Sequence, residues 1–272
     1  MALQNMKLLN GLEIAGFIKE RHAHQVRSLV ADKIYPKLAI VQTKDDPVIN
    51  TYVRLKKEYG SDVGIEVEEY KIAQAQAPEI LNKLSISKDV HGIIVQLPLE
   101  DVSETDRIVN LVDPKKDVDA LGDKSLFEPA TPMAILWLLN GYNIELRGKN
   151  ILLIGKGKLV GAPLEKMLKK SELNVSVIDQ EIGDIKERAL EADIIITATG
   201  SPAILYPDMI KTGAAVVDAG VASESGKTVG DLAPEVYERD DLTITPPKGG
   251  VGPLTVCALF ENVIRAAQNA KS

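Results

Sequence analysis

Short, uninterrupted apolar runs, each closed by a turn and followed by a stretch of helical period, recur along this chain. "LAIV" (38–41), "GIIV" (92–95), "ILLIG" (151–155), "DIIIT" (193–197) and "AAVVD" (214–218) are of this kind. A strand that is apolar at every position must be covered on both faces, the condition of a strand inside a parallel sheet flanked by helices. The expected fold class is therefore α/β with parallel strands.

The order of elements follows from the same reading. A helix is expected from about Gly11 to Asp32, then a strand in "KLAIVQT" and a helix through "NTYVRLKKEYG" introduced by the turn "KDDP". "GIEVEEYKI" alternates as a strand, "APEILNKLS" reads as a helix, "GIIVQLPL" as a third strand and "SETDRIVNLV" as a short helix. The pattern then restarts. "PMAILWLLNGYN" is a linking helix, "KNILLIGKGKLVGAPLEKMLKK" is strand, glycine turn and helix, and "NVSVID", "ADIIITATG" and "GAAVVDAG" are further strands. An amphipathic helix in "GPLTVCALFENVIRAAQNA" ends the chain. Two domains are expected, residues 1–128 and 129–252, with the helix 253–272 returning to the first.

Composition narrows the function classes. A formal net charge of −7 argues against a general nucleic-acid binder. The single cysteine, Cys257, excludes an internal disulfide, and three histidines (His22, His24, His91) leave little for a metal centre. No apolar stretch has the length of a membrane span, and the first residues lack the basic-then-apolar order of a signal peptide. A reduced, cytoplasmic protein is expected.

"LLIGKGKLVGAP" places Gly155, Gly157 and Gly161 directly after a strand pattern and at the start of a helix. Residues without a Cβ allow the tight turn, and the helix N-terminus offers free N–H groups to a pyrophosphate. The spacing is one residue longer than the common dinucleotide fingerprint, so simple turn glycines remain the other reading. Asp179, about 20 residues on, is placed to accept from an adenosine ribose, which favours NAD. Lys156, inside the turn, is placed to pair with a 2′-phosphate, which favours NADP, so the choice stays open. The small residues of "ATG" (Thr199, Gly200) and "DAGV" (Val221) close later strands where a flat cofactor lies against main chain.

In the first half, Tyr52 and Lys56 stand at i, i+4 on one helix face. They suit a ring stacked on a heterocycle with a cation one turn away, or equally an aromatic covering a lysine stem. "GIIVQLPL" ends in an amide, Gln96, followed by Leu97 and then Pro98, which cannot donate a ladder bond.

The ordered set "YVRLKK", "GIIVQLPL", "KDVDA", "GKGKLVGAP" and "GGVGPLTV" closely resembles the bifunctional methylenetetrahydrofolate dehydrogenase/methenyltetrahydrofolate cyclohydrolase family. The resemblance spans nearly the whole chain. It implies two α/β domains around a cleft, the second a Rossmann-type dinucleotide domain, and a homodimer in one-carbon folate metabolism that serves purine biosynthesis. It implies oxidation of 5,10-methylenetetrahydrofolate with NADP or NAD, then hydrolysis to 10-formyltetrahydrofolate. By the same resemblance Lys56 is the acid/base and Gln96 its hydrogen-bond partner. Tyr52 stacks near the folate and Asp119 grips the pterin. Leu97, Pro98, Gly249, Gly250 and Pro253 line the folate pocket, while Gly155, Lys156, Gly157 and Val221 contact the cofactor, beside Gly161, Asp179, Thr199 and Gly200 read above from their place in the strand and turn pattern. No metal is implied.

The chain departs from the family pattern at several points. Ile49 stands for serine, Glu58 for lysine, Ala120 for glycine, Ala130 for cysteine and Ala222 for asparagine; "TPPKGG" replaces "TPVPGG", and the segment after "KDVD" is shortened. These leave room for two other classes: a dehydrogenase without the hydrolytic step, and a catalytically silent folate- or dinucleotide-binding protein.

Overall fold

The computed structural model describes residues 6–179, 185–224 and 227–270 of the chain. The chain divides into two compact units, one of Met1–Ala15 and Thr131–Thr255, the other of Gly16–Ala130 and Val256–Ser272. Elements follow in the order β1 (Lys7–Leu8), α1 (Gly11–Ala31), β2 (Lys37–Gln42), α2 (Pro47–Val63), β3 (Glu66–Lys71), α3 (Ala77–Ile86), β4 (Gly92–Gln96), α4 (Thr105–Val109) and α5 (Ala130–Gly141). The remainder are β5 (Ile151–Ile154), α6 (Gly161–Lys170), β6 (Val175–Ile178), α7 (Ile185–Glu191), β7 (Ile194–Thr197), β8 (Ala215–Asp218), β9 (Ala222–Glu224), β10 (Lys227–Val229), β11 (Thr243–Ile244) and α8 (Val251–Asn269).

The first unit is built on a six-stranded sheet in the order β1-β11-β8-β7-β5-β6, every pair parallel. Each residue of β5 and β7 is buried, which is why those strands read as unbroken apolar runs. Leu152, Ile154, Ile195, Val216 and Ile244 pack with Leu205, Leu232 and Val236 into one core. Burying each such side chain stabilises by about 1.5–3 kcal/mol, so the strand order is set by who can be covered twice. The two-residue strands β1 and β11 and the antiparallel pair β9–β10 carry too few residues to show a period, and the sequence pattern passed over them.

The second unit holds a three-stranded parallel sheet, β3-β2-β4. Ala39, Val41, Ile93 and Val95 pack against Leu81, Leu84, Ile108 and Val109. Asp46 caps α2 by accepting from the N–H groups of Val48 (2.8 Å) and Ile49 (3.2 Å), and Pro47 supplies the first turn, which needs no donor there. Gly64, at φ +83°, ends the helix in the left-handed conformation. His22 of α1 bonds the Tyr59 hydroxyl of α2 at 2.9 Å and the Glu261 carboxylate of α8 at 3.0 Å, joining three helices in the interior.

Asn262, fully buried on α8, donates through Nδ2 to the carbonyls of Val118 and Glu128, both at 2.9 Å. It thereby ties α8 to both ends of the segment that carries Asp119. Asn262→Ala is expected to destabilise the protein by about 2–3 kcal/mol, because it removes both bonds and leaves the buried Val118 carbonyl without its donor. A urea midpoint within error of the unaltered chain would rule that out.

Candidate functional site

The carboxyl ends of the strands carry the polar chemistry in both units. At the end of β4, Gln96 Oε1 accepts from Lys56 Nζ at 2.7 Å, while Gln96 Nε2 donates to the Leu97 carbonyl at 3.0 Å. The second bond fixes which way the amide faces, so the carbonyl oxygen is the end presented to the lysine. Burial pushes the Lys56 ammonium below its usual range, and the charge of Asp119 opposes that shift. The pair is reciprocal: burial raises the Asp119 carboxyl and Lys56 draws it back down. Tyr52, one turn before Lys56 on α2, is 39 % exposed. Leu97 and Pro98 follow directly, joined by a cis peptide bond. The structure thus brings Lys56, Gln96 and Asp119 together and leaves Tyr52 partly exposed.

A turn around Asp117 positions Asp119. The buried Asp117 carboxylate accepts from the N–H groups of Gly122 (2.8 Å) and Leu121 (3.3 Å), and its carbonyl accepts from the Ser125 hydroxyl at 2.8 Å. Burial raises its carboxyl to about 6. Asp117 also bridges Ile93 of β4, so the turn is pinned to the strand that carries Gln96. Ala120 sits in this turn at φ +56°, a conformation that glycine adopts without strain, and the family's glycine at this position has its reason there.

The other departures are accommodated locally. Ile49 is buried on α2, and Glu58 pairs with Arg54 at 2.7 Å along the helix surface. Two residues that sequence reasoning missed stand beside the lysine–glutamine pair. Gln42 ends β2 in register with Gln96, and its Nε2 donates to Asn50 Oδ1 of α2 at 2.8 Å. An amide closing a second apolar strand was the available signal.

In the dinucleotide unit the chain leaves β5 at Gly155, φ +105°, where a Cβ would lie 2.6 Å from the Ala198 carbonyl. A Cβ on Gly161 would come within 2.1 Å of the Gly155 carbonyl, whereas one on Gly157 would meet open space. The turn is thus closed on itself, with the start of α6 behind it and room before it, which fits a pyrophosphate against the helix N-terminus. Lys156 is exposed, with Nζ 4.0 Å from Glu165 Oε2. Asp179 follows directly on β6. Gly200 (φ +67°) lies close to Val221, its Cβ position 3.3 Å from that carbonyl, and the N–H of Thr199 donates to Asp231 at 2.7 Å. Gly249, Gly250 and Pro253 belong to this unit too; the Gly249 carbonyl accepts from the N–H groups of Gly11 (2.8 Å) and Leu12 (3.2 Å).

A parallel six-stranded sheet with a glycine turn opening onto a helix N-terminus defines a Rossmann-type nucleotide-binding domain, here in one chain with a half-buried lysine–amide–carboxylate group on a second α/β unit. Residues 129–271 match the family model of the tetrahydrofolate dehydrogenase/cyclohydrolase NAD(P)-binding domain, and residues 9–119 that of its catalytic domain. The chain belongs to the tetrahydrofolate dehydrogenase/cyclohydrolase family. Among its relatives, the bifunctional protein FolD of Lactobacillus acidophilus is 35 % identical over 95 % of this chain and 96 % of its own. The crystal structure of the bifunctional FolD dehydrogenase/cyclohydrolase from Campylobacter jejuni superposes with a TM-score of 0.90 at 35 % identity, covering 97 % of this chain and 99 % of that one. The Trypanosoma brucei enzyme, crystallised with NADP cofactor and an inhibitor, gives 0.91 at 26 % identity over 98 % and 99 %.

Ala120→Gly is expected to stabilise the protein by about 0.5–1 kcal/mol, since glycine relieves the left-handed strain at some cost in chain entropy. The thermal midpoint reads the change; a fall would mean that the turn is not strained at Ala120.

Proposed function

We propose that this protein oxidises 5,10-methylenetetrahydrofolate with NAD(P) and hydrolyses the methenyl product to 10-formyltetrahydrofolate. The observation that carries the reading is the 2.7 Å bond from Lys56 to Gln96 beside Asp119, in a chain that matches both halves of the family. The proposed division of labour has residues 1–128 and the helix 253–272 bind folate and residues 129–252 bind dinucleotide. A homodimer in the cytoplasm is the proposed working form; among the described residues no helix is long and apolar enough to cross a membrane.

Bound NAD(P) supplies the hydride acceptor for the methylene carbon. For that step the chain needs mainly to hold the folate in place, because the folate nitrogens stabilise the cation that forms. Asp119 accepts from the donor edge of the pterin, and Tyr52 stacks on its face. Water then attacks the methenyl carbon and the ring opens, with protons moving at Lys56 Nζ. An ordinary lysine holds its proton too tightly for this near neutral pH; burial of Lys56 weakens that hold, and a cationic substrate beside it weakens it further. Gln96 offers an acceptor without adding negative charge, so it orients the amine and leaves its proton affinity low.

Spectrophotometry of the purified protein tests the reading: methylenetetrahydrofolate with NAD and with NADP, then methenyltetrahydrofolate alone. Turnover in both halves is expected. Cofactor reduction with a stable methenyl product would leave a dehydrogenase only, and silence in both would leave a binding protein. Lys56→Met is expected to lower hydrolysis of the methenyl compound at least about a hundredfold while cofactor affinity holds, the scale of a lost acid/base group. Hydrolysis at the original rate would remove Lys56 from the mechanism. Asp179→Ser is expected to shift the ratio of kcat/KM for NADP over NAD upward by about tenfold, by removing a charge that repels a 2′-phosphate. An unaltered ratio would place the ribose elsewhere.

A further inference from the structure

Two carboxylates of the dinucleotide unit, Asp231 and the half-buried Asp218, have no part in the chemistry above. Asp231 is fully buried; its Oδ2 accepts from the Thr199 N–H at 2.7 Å and its Oδ1 from the Ser201 N–H at 3.1 Å. A Cβ on Gly220 would fall 1.9 Å from Asp231 Oδ1, so the carboxylate lies directly against that stretch of main chain. Asp218, the last residue of β8, stands behind it. Its Oδ1 accepts from the N–H groups of Gly220 (2.9 Å) and Asp231 (3.1 Å) and from the Thr197 hydroxyl (3.2 Å), and its Oδ2 from the Leu232 N–H (3.3 Å). The partners are N–H groups and one hydroxyl, with no ion pair to either carboxylate among the described residues.

Burying a carboxylate without a cation is costly, and the two N–H donors to Asp231 offset that cost only in part. The segments that Asp231 touches are Thr199–Ser201 and Gly220, immediately beside Gly200 and Val221 at the carboxyl ends of β7 and β8. Ligands of parallel sheets bind at those ends. The nicotinamide ring is a cation when oxidised and neutral once it has taken a hydride. A fixed negative charge one layer behind its seat therefore distinguishes the two forms, while a purely structural group would not.

We propose that Asp231, backed by Asp218, is the positioning residue that makes the NAD(P) site prefer the oxidised, cationic cofactor over the reduced one. The proposal rests on the cofactor seat argued above and extends it to the redox state that the seat selects.

Asp231→Asn keeps the shape and an acceptor for one N–H while removing the charge. Dissociation constants of the reduced cofactor, from its ring fluorescence, and of the oxidised cofactor by competition, are measured on the full chain. The oxidised form is expected to weaken by about five- to tenfold, the size of one charge acting across several ångströms of partly screened interior, and the reduced form by less than about twofold. Equal weakening of both would make Asp231 a loop residue and overturn the proposal, as would no change in either. Should the variant not fold, the unaltered chain carries the test. Its oxidised cofactor should bind more tightly than the fragment lacking the nicotinamide ring, and its reduced cofactor should not; the reverse order sinks the idea. These measurements need no folate, so a failure of the folate chemistry leaves them readable. Failure of the unaltered chain to bind either form would remove the seat and the proposal together.

Discussion

A parallel strand covered on both faces has no room for a polar side chain along its length, so polar chemistry collects where the strand ends. Both units obey this constraint. Gln96 is the last residue of β4 and Gln42 the last of β2; Gly155 follows β5, Ala198–Gly200 follow β7, and Asp218 closes β8. The apolar burial that stabilises the sheets is thus also what positions the amide, the glycine turn and the carboxylates.

At the end of β4, burial and charge act against each other on the same two groups. Desolvation lowers the affinity of Lys56 for its proton and raises that of Asp119, while their mutual attraction works the other way in both. Gln96 adds a hydrogen bond and no charge. A carboxylate in its place would hold the ammonium charged, against the proton-transfer role proposed for Lys56. At the dinucleotide end the balance differs: Asp218, whose carboxyl burial raises, and Asp231 have no cation paired with them among the described residues, which is the ground for the redox preference proposed above.

The departures from the family pattern are mostly local in their consequences. Glu58 finds Arg54 one turn away on a solvated helix face, where such a pair contributes little. Ile49 takes a buried place on α2. Ala120 is the exception, because its backbone demands a conformation that its side chain resists.

Much of this was legible in the chain itself. The unbroken apolar runs determined the parallel sheets, because only double coverage stabilises such strands, and the ordered motifs around Lys56, Gln96, Asp119 and Gly155 determined the family. What the tertiary structure decided lies in contacts between residues far apart in sequence. The short strands β1 and β11 pair although neither has a period to read. Asp117 gathers a turn around Asp119, Gln42 reaches Asn50 beside the Lys56–Gln96 pair, and Asp231 joins Thr199 to Gly220. A sequence displays the preference of each residue for burial or for a turn; it does not display which buried donor meets which acceptor, because that pairing is set only when the chain has closed on itself.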